Sequence, residues 1–180
     1  LVKALNSPTM LVRKTAQQLL IERGKADVVP ALIELVRNEA VDAIGLNVGA
    51  IHALWTLKGL GAIDGEGSDG FRAATGALSH ASPGVRRNAL QVLPASAESP
   101  KAVAKAGVSA DKDPQVRLAA LLALADLPAS DESGKILSDA ASRPADLDRW
   151  LTDAVIDGAA NNAAGFLQGL SRSKGNNTGD

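Results

Sequence analysis

The sequence predicts an all-α protein, a solenoid of about five helix pairs, and three observations carry that prediction. One phrase recurs: HASPGVRRNALQVL at residues 80–93 and DKDPQVRLAALLAL at residues 111–124 share Pro, then Val-Arg-x-x-Ala and a leucine. The composition is 46% hydrophobic but only 2% aromatic, so the core must come from Ala, Leu and Val, which favour closely approaching helices over strands. Between the copies of the phrase lie second apolar segments with helical spacing.

With the Val of Val-Arg as position zero, Val12, Val85 and Val116 match, followed by Arg13, Arg86 and Arg117, by Ala16, Ala89 and Ala120 at +4, and by Leu20, Leu93 and Leu124 at +8. Offsets of 4 and 8 share one helix face. Ser7-Pro8, Ser82-Pro83 and Asp113-Pro114 precede the copies as expected helix starts: the small polar side chain caps, and Pro fits the first turn, where an N–H would go unpaired. The first copy carries two more residues between Pro and Val than the others. A degenerate copy fills residues 45–61, with Gly49 and Ala50 in place of Val-Arg, and a fifth is anchored at Trp150 with Ala154 at +4. The anchors then fall at 12, 49, 85, 116 and 150, at spacings of 37, 36, 31 and 34 residues, the signature of a repeat array.

The second helices are expected at 28–38 (Val28, Leu32, Leu35, Val36), 70–79 (Phe71, Ala74, Leu78), 99–107 (Val103, Ala106), 132–142 (Ile136, Leu137, Ala140) and 161–170 (Ala163, Phe166, Leu167, Leu170). Residues 1–5 read as the end of a further second helix. Repeats therefore occupy 1–172, and the aperiodic residues 173–180 read as a disordered tail or linker. Because the chain begins at Leu, it is expected to be a piece of a longer protein.

The net charge of −1 lacks the basic excess of a nucleic-acid binder. No apolar run approaches the roughly 18 residues that suggest a membrane span, so no membrane insertion is expected. Without Cys there is no disulfide and no thiolate chemistry. GEGSDG at 65–70 has dinucleotide-loop spacing but follows a helix instead of a strand. Asp64, Glu66 and Ser68 have the spacing of a calcium loop, but Asp69 stands where such a loop needs Gly and Thr75 where it needs Glu. A loop reading is favoured for both. His52 and Trp55 lie three apart, and packing is favoured over a ligand face. His80 precedes an expected cap. Asn176-Asn177-Thr178 fits a glycosylation sequon.

Asp/Ser-Pro-x-Val-Arg-x-x-Ala-x-x-x-Leu followed by a segment such as VVPALIELV resembles HEAT repeats, specifically the HEAT-like type also found in phycobilin lyases. The resemblance implies a right-handed α-α superhelix whose second helices line the concave side. AQQLLIERG (16–24) and HALWTLKGLG (52–61) are similar to the HEAT segment of large bacterial exported proteins, which join a dehydrogenase-like β-propeller to a haem-binding Cys-x-x-Cys-His module. With no Cys in the chain, that likeness implies a connecting or docking module of an oxidoreductase-like parent, exported or periplasmic, with no cofactor of its own.

The function expected is therefore a non-catalytic module that holds a protein partner or adjacent domains of the same chain, monomeric in isolation. A HEAT-like enzyme (bilin lyase or DNA glycosylase type) and a purely structural spacer are the alternatives. The candidate partner-binding residues project from the second helices: Glu34, Arg37, Arg72, Lys101, Lys105 and Lys135. Arg13, Arg86 and Arg117, with Pro8, Pro83 and Pro114, are expected to be structural; for the arginines, anion binding is the less favoured reading.

Overall fold

The computed structural model describes residues 1–65 and 67–175, and among them every regular element is helical, with no strand. Two compact units emerge, Leu1–Pro94 and Ala95–Asp180. In the first, α1 (Met10–Arg23), α3 (Val48–Gly59) and α5 (Pro83–Val92) lie side by side, with α2 (Val29–Arg37) against α3 and α4, and α4 (Asp69–Gly76) against α5. Their shared core is Leu20, Leu32, Val36, Ala50, Leu54, Leu57, Ala74 and Val85, all essentially inaccessible. Of residues 1–5, residues 2–5 belong to a 3₁₀ helix, Val2–Asn6, which docks Leu5 under α1 and α3.

Helix α5 begins at Pro83, where the absent N–H costs nothing, and stops at Val92 because Pro94 disfavours helical backbone at Leu93. α3 keeps the expected core register and occupies Val48–Gly59 of the expected 45–61, starting after Asn47, whose side chain accepts the Ala50 N–H at 2.9 Å. In both α3 and α5 the positions 0, +1, +4, +5 and +8 are buried: Gly49, Ala50, Ala53, Leu54 and Leu57, then Val85, Arg86, Ala89, Leu90 and Leu93. Two anchors depart from expectation. Val12 is 43% exposed, since no described element covers that side of α1. Trp150, at the second residue of its helix, is 65% exposed and stacks near Arg149 instead, while Leu151 turns inward.

The second unit places α7 (Pro114–Asp126) on α9 (Arg149–Asn161), and α8 (Asp131–Ala141) against α6 (Glu98–Ala106), α9 and α10 (Ala163–Gly175). The stripe expected on α10 is only partly buried: Phe166 and Leu170 are half-buried, and Ala163 is exposed. Leu167 is 64% exposed, and Gly165 and Gly169 face α8 instead. A methyl group on Gly165 would stand 2.5 Å from the Asp131 carbonyl oxygen, and one on Gly169 would overlap the Ser138 hydroxyl, so the two backbones touch only because these side chains are missing. Gly134 meets the backbone of α10 in the same way. α10 runs to Gly175; the sequon and the remainder of the tail lie outside the described residues.

The junction of α7, α8 and α9 is held by one buried amide. Asn162 accepts the Ser130 N–H at 2.9 Å and donates to the carbonyls of Leu124 at 3.1 Å and Gly158 at 2.9 Å. Its neighbour Asn161 donates to the carbonyls of Ala125 and Leu127 at 2.9 and 3.2 Å. Asn162→Ala takes the side-chain partner from the Ser130 N–H and from the buried Leu124 carbonyl, and it is expected to lower stability by about 2 kcal/mol or more, read from the urea midpoint at unchanged slope.

Candidate functional site

Each repeated arginine closes a corner made of its own neighbours. The Nη1 of Arg13 donates to the carbonyls of Ser7 and Pro8 at 2.6 and 3.1 Å, that of Arg86 to His80 and Ala81 at 2.8 and 3.2 Å, and that of Arg117 to Asp111 and Lys112 at 2.9 and 3.5 Å. In every copy the acceptors lie six and five residues back, and the first of them ends a 3₁₀ helix. A guanidinium thus neutralises a helix C-terminus, where carbonyls have no partner of their own.

The same acceptor residue does a second task with its side chain. Ser7 Oγ accepts the Thr9 N–H at 3.2 Å, His80 Nδ1 the Ser82 N–H at 2.9 Å, and Asp111 Oδ1 the Asp113 N–H at 2.9 Å. Thr9, Ser82 and Asp113 are therefore equivalent cap positions, which resolves the two extra residues of the first copy: its cap is Thr9 and not Ser7-Pro8. Only Asp113 caps with its own side chain, accepting the N–H groups of Gln115 and Val116. Ser82 spends its hydroxyl on the Gly45 carbonyl at 2.7 Å, and His80 Nε2 meets the Asn38 carbonyl at 2.9 Å, so this corner also secures the loop between α2 and α3. Pro8 stands outside its helix, whereas Pro83 and Pro114 each open one. Both bonds leave from Nη1 alone, so a lysine ammonium has donors enough for the two carbonyls but lacks the planar, pre-organised guanidinium that holds that nitrogen in place; Arg86→Lys is expected to cost about 1–3 kcal/mol in chemical denaturation.

His52 and Trp55 serve different neighbours. His52 Nδ1 lies 2.7 Å from Gln17 Oε1 on α1, whereas Trp55 Nε1 donates to Asn88 Oδ1 on α5 at 2.7 Å, beneath the Lys58 ammonium. Burial, and behind it the charge of Arg13, hold the His52 imidazole below its ordinary value of 6.5. The folded protein therefore resists a proton that the unfolded chain accepts, and stability falls as pH drops below that value. The loss of melting temperature between about pH 8 and about pH 5 is expected to be smaller in His52→Gln than in the wild type; equal losses would discount His52.

The six candidate partner-binding residues are all exposed. Arg37 pairs with Glu34 at 3.2 Å on α2, Arg72 with Asp69 on α4, and Lys101 with Glu98 at 2.6 Å on α6, each within one turn. Arg37 and Arg72 come together across α2 and α4, where they line a cavity of about 180 Å³ with Glu39 and His80. In the second unit, Lys101 and Lys105 stand on α6 and Lys135 on the adjoining α8. The glycine-rich run at 65–70 is a helix start: Ser68 caps α4 by accepting the Phe71 N–H at 3.0 Å and donates to the Ala62 carbonyl, while Arg72 reaches the Gly67 carbonyl. Glu66 lies outside the described residues. Among the described residues no three His, Asp or Glu side chains converge as metal ligands, and no helix is long and apolar enough to cross a membrane.

Compared with protein-family models and with curated proteins, the chain matches none.

Proposed function

We propose that this chain is a HEAT-like interaction module, a right-handed α-α superhelix of about five helix pairs that holds a protein partner or a neighbouring domain of its own polypeptide and catalyses no reaction. The observation that supports this reading most is the arginine corner, built three times on the same spacing. A device that sets one helix pair against the next, repeated in register, is what a repeat scaffold requires. Such a scaffold leaves the second helices to present charge, and Arg37, Arg72, Lys101, Lys105 and Lys135 stand exposed on them.

Their ion pairs with Glu34, Asp69 and Glu98 lie on the surface, where such pairs contribute little, so a partner's carboxylates compete for these cations at small cost. Reversing charge in the first unit (Arg37→Glu with Arg72→Glu) and separately in the second (Lys101→Glu, Lys105→Glu and Lys135→Glu) is expected to weaken partner capture by roughly tenfold or more in at least one of the two variants. Cross-linking followed by mass spectrometry, with circular dichroism to confirm folding, checks this. An unchanged set of partners in both variants rules out this surface, and tight salt-sensitive DNA binding by the wild type would favour the enzyme alternative instead.

A further inference from the structure

The three arginine corners are alike in their backbone bonds and unlike in what surrounds them. Arg86 is only 7% exposed. Arg117 is half-buried and opens onto a cavity of about 240 Å³ within the second unit, which it shares with Arg143 and Lys112 over a floor of Leu121, Leu147 and Leu151.

These guanidinium groups differ from those of the other cavity. Arg37 and Arg72 are each neutralised by a carboxylate on their own helix. Arg117 spends Nη1 on two carbonyls, and Arg143 spends Nε on the Asp139 carbonyl at 3.3 Å. Among the described residues no acceptor takes the remaining N–H groups of either, and neither forms an ion pair. Asp111 and Asp146 also line the cavity, so three cations face two carboxylates, a balance of +1. Unspent donors in fork geometry call for a planar, two-oxygen acceptor, and the leucine floor calls for an apolar group beside it. The volume lies below the roughly 300–1,000 Å³ of drug-sized pockets, so the ligand is small.

From this we infer that the cavity is a binding site for a small organic carboxylate with a short aliphatic tail. The carboxylate bridges Arg117 and Arg143, and the tail rests on Leu121, Leu147 and Leu151. The site shares no residue with the second-helix surface, so it stands or falls independently of the interaction role.

Calorimetric titration of the full chain with hexanoate, acetate and inorganic phosphate tests this. Saturable one-to-one binding of hexanoate, tighter than that of acetate or phosphate, is expected. Arg117 also holds its corner, so Arg117→Gln risks misfolding; the exposed Arg143 is the decisive position, with folding confirmed by circular dichroism. Arg143→Gln is expected to weaken hexanoate about tenfold or more, the size of a charge-assisted hydrogen bond. Asp146→Asn, which removes a repelling carboxylate, is expected to tighten it. No saturable binding of hexanoate, equal affinity in Arg143→Gln, or phosphate bound more tightly than hexanoate would each overturn the assignment.

Discussion

The bond between an arginine and two successive carbonyls behind it is the constraint on which the starts of α1, α5 and α7 depend. A 3₁₀ helix that ends against the start of an α-helix leaves carbonyls pointing at the same place as the incoming turn, and in the interior those oxygens need a donor. A guanidinium supplies two N–H groups from one nitrogen and stays charged at any physiological pH, so it answers a helix C-terminus with both hydrogen bonds and charge. The side chain of the acceptor residue then takes the cap N–H from the other side. Ser7, His80 and Asp111 share no chemistry except an acceptor atom near the backbone, and that is all the position asks.

Where the arginine is missing, other devices hold the corner. Ahead of α3, the Asn47 side chain caps the helix and also donates to the Asn38 carbonyl. Between α7, α8 and α9, the amide of Asn162 joins three chain segments with both its ends in use. Between α8 and α10, glycines bring two backbones into contact. This last interface gains dispersion contacts along its length and has almost no side chain to adjust, which makes it the least tolerant of enlargement.

Much of this was legible in the chain. Residues at +4 and +8 of the repeated phrase are buried where the period places them, and the second helices form within a few residues of their expected bounds, because an apolar stripe reports both period and direction. Four features were not legible, for physical reasons. Gly165 and Gly169 carry no hydrophobicity, so a periodicity search passes over the face that packs best and selects Leu167, which points outward. Trp150 is large and apolar, yet at the second position of a helix its direction is set by the cap at Asp148 more than by its affinity for the core. The repeated arginines donate to local carbonyls where 3₁₀ helices end, and backbone acceptors leave no trace in residue identity. The cavity beside Arg117 depends on Arg143, which lies outside any repeated phrase.

One property of the arginine corner reaches beyond stability. Its donor, both acceptors and the cap it organises fall within seven consecutive residues, so closing it needs no distant segment and little loop entropy. Such a corner can form early in folding, before the helices on either side have found their neighbours. It also travels whole: any segment that carries these seven residues keeps its donor and acceptors together.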